Sequence, residues 1–362
     1  MTKIYTLLLL CLFALVLPVA GQEAEFKKIK ESWTLRADGS QVYRHMKVLT
    51  LYTHTAMNRT YGESFITYDP RYQTLEIHES YTRQKDGNIV KTPDNAFVEV
   101  LPAAAANAPA FNALREMVVV HTGLELGATV YLDYSITSKP GYLPEINVCR
   151  QLEQSSPVKE YEISITVPQG QRLEYALDNL KSKPLVTEKE GMKQVSWVLK
   201  NLPALSREPQ VSVIGGELPL LTATTEQKPM AFLSAQWERE ADARLRTLAG
   251  KLTAGAKSDE EKVKALHSYV IDNLYYSPLP LSETAYRIRP TAEVLRSAYA
   301  TEAEKANLLA ALLRAAGLKA EIGAVCVPSA NTASLGMGSI RELFVWTEAG
   351  GRQQALSLKG KT

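Results

Sequence analysis

The chain has 362 residues, including 3 cysteines and 5 histidines, and these few side chains bound its chemistry. Thiol-based acyl transfer needs three groups. A cysteine is activated at a helix N-terminus, a histidine takes its proton, and a carboxylate orients the ring. The cysteines are Cys11, Cys149 and Cys326. Cys11 lies inside an apolar N-terminal run. Cys149 lies in a β-rich stretch, and Cys326 in the apolar run Ala324-Val325-Cys326-Val327. A thiol buried in such a strand has a raised pKa and poor access. His45, His54, His78 and His121 lie in or beside strand-like runs, and only His267 lies further on, beside Leu266 in a helical pattern. No short His or carboxylate spacing marks a metal site, so no metal and no other cofactor is expected. Glu302 and Glu304 are two apart on a helix. That spacing points them to different faces and argues against paired carboxylates for glycoside cleavage. Tyr131, Tyr134 and Trp197 are candidates for sugar stacking, with sheet packing the stronger expectation. Asn58-Arg59-Thr60 fits a glycosylation acceptor.

These residues sit in a chain with 41 Lys+Arg against 39 Asp+Glu and a net charge of +2. That balance gives nucleic acid no electrostatic footprint. Residues 1–21 read as a signal peptide: Lys3, an apolar run to Leu17, then Pro18 and small residues. The mature chain is expected to be exported, periplasmic or secreted, with no membrane span. Residues 22–225 alternate with period 2, as at Val42–Thr53, and are punctuated by Asp86-Gly87, Pro140-Gly141 and Glu190-Gly191. This pattern predicts an antiparallel β-sandwich. Pro102–Pro109 is read as a loop crossing between sheets. Residues 226–238 are taken as a linker and helix start, with no periodicity from Thr222 to Pro229.

Residues 239–362 then change period. One helix is predicted over Ser234–Leu252. A second opens at a Ser258/Glu261 capping box, and a third at Thr301/Glu304. The third buries Leu308, Leu309, Leu312, Leu313 and Ala316, and stops at Gly317. A strand over Ala320–Val327 follows, then a hairpin, Glu342–Thr347 and Gln353–Leu358, around Ala349-Gly350-Gly351.

The β-rich half resembles the domain-of-unknown-function family 3857. The likeness rests on Arg44–Leu51, Tyr68-Asp69, Asp86-Gly87, the Leu126-Gly127 turn, and the stretch from Trp197 to Glu208. The second half resembles the transglutaminase-like, papain-like α+β fold. That likeness rests on Asp259–Tyr276, Glu293-Val-Leu, and Lys305 through Ala320. The resemblance implies a Cys-His-Asp triad, with the cysteine in a Gly-Asp-Cys-Lys-Asp-Lys-Ala-type run opening the leucine-rich helix. The corresponding run here is Ala300–Ala306, with Glu302 at the cysteine position, Leu343 near the histidine position and Ser357 near the aspartate position. No His follows His267, no Asp follows Asp272, and no Cys lies between Cys149 and Cys326. No register rebuilds the triad.

Glu302 is therefore expected to be a first-turn acid that gains from the helix dipole. The leading expectation is an exported, non-catalytic binding or scaffold protein for an unidentified protein, peptide or glycan. The alternatives are an acyl-transfer or peptidase enzyme with a relocated Cys326/His267 site, and a carbohydrate-binding module. Proteins of this resemblance carry a further β-rich region after the hairpin, so the second domain is expected to be shortened.

Overall fold

The computed structural model describes residues 22–205, 218–228 and 230–359. The expected signal peptide and Cys11 lie outside the described residues. The first domain contains β1 (Ala24–Leu35), β2 (Gln41–Leu51), β3 (Glu63–Tyr68), β4 (Gln73–Arg83), β5 (Ile89–Lys91), β6 (Phe97–Val100) and β7 (Arg115–Val120). It continues with β8 (Thr129–Ser138), β9 (Asn147–Gln151), β10 (Val158–Pro168), β11 (Glu174–Asp178), β12 (Leu185–Lys189), β13 (Met192–Leu202) and β14 (Leu220–Thr224). Eight of them form one sheet in the order β12-β13-β10-β1-β2-β8-β4-β5.

Two three-stranded sheets, β3-β7-β6 and β11-β14-β9, cover one face of the large sheet. Ile66 and Val119 pack on Leu132 at one end. Val148, Leu221 and Ala223 pack with Ile163, Ile165 and Trp197 at the other. The alternation explains the division of faces. In β10, Tyr161, Ile163 and Ile165 point inward and are buried, while Glu162 and Ser164 between them stay partly exposed. The expected sandwich is present, with one departure from antiparallel order: β1 runs parallel to β10, Phe26 opposite Val158.

The polar stretch from Thr222 is not a simple linker. Thr222–Thr224 belongs to β14, which pairs with β9 and β11. Glu226 is buried and accepts from the backbone N–H of Met230 and of Met337. Polar side chains hid this strand because its hydroxyls are satisfied in the interior, as where Thr222 meets the Ser334 hydroxyl at 2.6 Å.

The second domain opens with α1 (Ala231–Ser234), then α2 (Ala243–Thr253) and α3 (Asp259–Asn273). The helix predicted over Ser234–Leu252 is thus two pieces. Asp242 starts the second by accepting from the Leu245 N–H at 2.7 Å. After β15 (Tyr275–Tyr276) come α4 (Thr291–Ser297), β16 (Tyr299–Ala300) and α5 (Glu302–Ala315). The chain then forms an antiparallel sheet of β17 (Ala320–Cys326), β18 (Ile340–Ala349) and β19 (Arg352–Ser357). Helix α5 is buried around its whole circumference from Ala303 to Leu313, not along one stripe. It is the axis of this domain, packed by α2, α3 and the β17–β19 sheet. Gly317 ends it with φ +84°, the left-handed stop that glycine adopts without a Cβ clash.

The Ala-rich segment after Pro102, expected from its interruption of the strand pattern to cross between sheets, does not do so: it joins β6 to β7, antiparallel neighbours in one sheet. Ala105, Ala108 and Leu114 pack against Leu279 and Tyr299 of the second domain. The Ala110 N–H donates to the Tyr299 hydroxyl at 2.7 Å. The first domain therefore rests directly on the strand that leads into α5.

Candidate functional site at the start of helix α5

The start of α5 is built by interlocking charges. The Thr301 hydroxyl accepts from the Glu304 N–H at 3.4 Å, and the Glu304 carboxylate accepts from the Thr301 N–H at 2.9 Å. The reciprocal capping box satisfies two free donors of the first turn. Glu304 is 1% exposed. It also takes a two-pronged guanidinium from Arg289, with both contacts at 2.8 Å. That guanidinium lies 4.2 Å from the Tyr299 ring centre. At α3 the box is shifted by one residue: Ser258 accepts from the Glu261 N–H, but Glu261 accepts from the Lys257 N–H.

Glu302 occupies the first helical position. The dipole favours its charged form, yet burial dominates and pushes its carboxyl up from the usual range. The Glu342 carboxylate adds to that rise, while the Lys359 ammonium and the Leu343 backbone N–H oppose it. Its Oε1 is buried without a hydrogen bond among the described residues. The nearest positive charge is Lys359 Nζ, at 3.7 Å from Glu302 Oε1 and 3.9 Å from Glu342 Oε2. The expected gain of an ordinary first-turn acid is thus reversed by desolvation.

Leu343 lies beside Glu302, and Ser357 is linked to Glu302 through Glu342. Leu343 sits in β18 with its side chain fully buried. Ser357 pairs with Phe344, the next residue of β18. Its hydroxyl is 3.5 Å from Glu342 Oε1, and its carbonyl accepts from His267 Nε2 at 2.7 Å. Lys305, 3% exposed, completes the site. Its ammonium lies 5.6 Å from the Tyr276 ring centre and is pushed down by burial. A carboxyl, an ammonium and a phenol lie together here, and among the described residues no thiol or free imidazole joins them. The arrangement can hold a polar group. Sequence reasoning missed Tyr276, Lys305, Glu342 and Lys359 as parts of the site, although Lys305 stands inside the quoted Ala300–Ala306 run.

Cys326 and His267 are not brought together. Cys326 pairs with Ile340, whereas His267 is bonded to Ser357, opposite Phe344. Four residues of β18 separate the two levels, about 13 Å along a strand. Burial pushes the Cys326 thiol up. Cys149 and Cys326 are both free thiols, and Arg341 donates to the Cys149 sulfur at 3.0 Å. The sugar platform is not formed either. Trp197 is 3% exposed, and Tyr131 is stacked on Tyr81 at 4.9 Å. Among the described residues, no group of His, Cys, Asp or Glu is placed to hold a metal. None of the described helices is long and apolar enough to cross a membrane.

Two further polar clusters lie inside the first domain. Glu31 is buried against Arg150 at 3.0 Å, and accepts from the Tyr43 and Tyr161 hydroxyls at 2.5 Å each. Arg150 and His45 hold its carboxyl down to about 2 against the cost of burial. Lys47 donates to the Ser64 hydroxyl at 2.7 Å, and that hydroxyl is 2.8 Å from His121 Nε2. Burial pushes Lys47 down to about 8, and burial together with Lys47 pushes His121 down to about 3.

Family comparison agrees with this architecture. Residues 37–206 match the Domain of Unknown Function with solved structure, DUF3857, and residues 246–351 match the Transglutaminase-like superfamily. A crystal structure from Parabacteroides distasonis ATCC 8503, described as a "putative protease", is 46% identical with a TM-score of 0.89. The match covers 94% of this chain and 71% of that one. The periplasmic domain of TgpA from Pseudomonas aeruginosa matches at 13% identity and a TM-score of 0.26, over 57% of this chain and 71% of that one. An M1 zinc metallopeptidase from Deinococcus radiodurans matches at 12% and 0.26, over 80% of this chain and 63% of that one. Scores that low do not bear on the fold. No curated protein matches the chain. On the strength of the Parabacteroides likeness and the two matched regions, the chain belongs to the family in which a DUF3857 domain precedes a transglutaminase-like domain.

Proposed function

We propose that this chain is an exported, non-catalytic binding or scaffold protein built on a transglutaminase-like fold. The observation that supports this reading is Glu302 at the start of α5, met by the Leu343 backbone N–H and the Glu342 and Lys359 side chains; Leu343 and Ser357 stand at the other positions that the resemblance assigns to the triad. A carboxylate, an aliphatic chain and a hydroxyl supply neither the thiol nor the imidazole of the triad that the fold implies. Around them the helix is capped, the strands are paired, and the first domain sits against β16. Export is supported by the composition of residues 1–21.

The test is amine incorporation into casein and casein hydrolysis, run on the purified mature chain. No turnover is expected, and Cys326→Ala is expected to behave as the wild type. Turnover that disappears in Cys326→Ala overturns the reading.

The peptidase alternative draws support from the description of the Parabacteroides protein. It requires Cys326 to act as nucleophile although its thiol is pushed up by burial and His267 is held by the Ser357 carbonyl. Loss of casein hydrolysis in His267→Ala, with the fold retained, is the outcome that reading demands.

A further inference from the structure

A cavity of about 560 Å³ lies between the large sheet and the two small ones, with Ser282 and Glu283 of the second domain in its lining. That volume is within the ordinary range for ligand sites, roughly 300–1,000 Å³. Its wall includes four consecutive residues of β3, Phe65 to Tyr68. In a paired strand, alternate side chains face opposite ways, so four in a row mark a strand lying edge-on to the space.

The register shows what that edge offers. Among the described residues, strand β3 pairs with β7 alone, Glu63 opposite Val120 through Tyr68 opposite Arg115. One rung earlier, the His121 N–H donates to the Gly62 carbonyl at 2.9 Å. Hydrogen-bonded pairs alternate along an antiparallel ladder. Ser64, Ile66 and Tyr68 therefore direct their backbone groups to β7. Phe65 and Thr67 direct theirs away from it, to the open edge. Strand β3 is an edge strand with a cavity alongside it. Such edges are normally covered, charged or bulged. Phe65 beside this one is 59% exposed.

A second feature of the same cavity is independent of the edge. Arg150 lines it, and the guanidinium's Nε is buried with no hydrogen-bond partner among the described residues. The rest of that side chain is occupied: it pairs with Glu31, donates to the Tyr43 hydroxyl at 3.2 Å and lies over Trp33.

We propose that this cavity binds an extended peptide segment, which adds as a strand to the free edge of β3 and lies beside the Arg150 side chain. Main-chain bonds to Phe65 and Thr67 supply the affinity, and the aromatic wall of Tyr68 and Tyr134 receives alternate side chains. Room beside Phe65–Tyr68 corresponds to about four extended residues, or about 13 Å. The occupant is peptide rather than glycan because the open groups are those of a strand edge, spaced for a second backbone. The strand edge lies in the first domain, and the proposal does not depend on whether the second domain is catalytic.

The experiment selects from displayed random heptapeptides on the full mature chain, then measures the enriched peptide by fluorescence anisotropy. Two synthetic versions follow, N-methylated at odd or at even positions. One parity is expected to lose at least tenfold in affinity and the other to bind nearly unchanged, because only alternate N–H groups face β3. Thr67→Pro is expected to lose binding to a similar extent. Its N–H points away from β7, so the ladder is kept, and an unchanged melting temperature checks this. Phe65→Ala, at an exposed position, is expected to weaken binding without affecting folding. Failure to enrich any peptide, equal tolerance of both methylation patterns, or full binding by Thr67→Pro each overturns the proposal.

Discussion

At the scale of single residues, Glu302 shows how position and burial compete. A first-turn carboxylate gains from the helix dipole by roughly 0.3–1 kcal/mol. Here burial pushes its carboxyl up instead. A raised folded-state pKa stabilises the protein below the unfolded value. That contribution is lost as pH rises through the folded value. Glu302→Gln is therefore expected to raise the melting temperature near pH 7–8, by a few degrees at most, and to leave it unchanged near pH 4. Thermal melts at the two pH values check this. A fall at pH 7 would mean that the Lys359 contact outweighs burial. The carboxylate was legible in the sequence as a departure from the triad. Its burial was not, because Glu342, Leu343 and Lys359 approach it from residues about 40–60 positions away.

At the scale of elements, the start of α5 is held by the capping box and the Arg289–Glu304 pair. Thr301→Ala is expected to cost about 1 kcal/mol, as lost N-caps do. Arg289→Ala is expected to cost more, about 3–5 kcal/mol, because Glu304 is left buried without its partner. Urea denaturation of the two variants tests the order, and equal costs would remove the pair from the account. His267 is likewise a structural group, since Nε2 holds the β19 carbonyl of Ser357. His267→Ala is expected to lose about 1–3 kcal/mol through that unpaired acceptor. Its effect should appear in stability rather than as loss of a reaction. The capping box at Thr301 and Glu304 was readable from four letters, because both partners lie within one turn. Arg289 was not, since its pairing depends on α4 folding back beside α5. The break between α1 and α2 was missed because Asp242 gives the same local signal whether it caps a helix or sits on its surface.

At the scale of the whole molecule, three buried groups set the response to pH. His121 is held down to about 3 and Glu31 to about 2. The unfolded chain takes up these protons first, so stability falls with pH from about 6.5 for His121 and from about 4.5 for Glu31. Acid unfolding followed by circular dichroism should begin above pH 5, and His121→Asn should delay its onset. Lys47 is held down to about 8. Between pH 8 and about 10.5 the unfolded chain binds this proton and the folded chain does not, so its contribution to stability rises with pH. Lys47→Met removes a buried ammonium and is expected to be neutral or stabilising at pH 7, and to flatten that rise. A large destabilisation by Lys47→Met at pH 7 would assign the lysine a structural role instead.

The sequence by itself determined the order and kind of the elements. Periods of 2 and 3.6, turn glycines and short-range caps are written within a few residues of one another, and each acts over that range. It also determined that the transglutaminase-like domain lacks a cysteine where its helix begins. Only the tertiary structure decided what replaced it. Burial reversed the tendency of Glu302, and strand pairing carried Ser357 to His267. The packing of three sheets left the edge of β3 beside Arg150. Desolvation and strand register are set by residues distant along the chain, and no local pattern carries them.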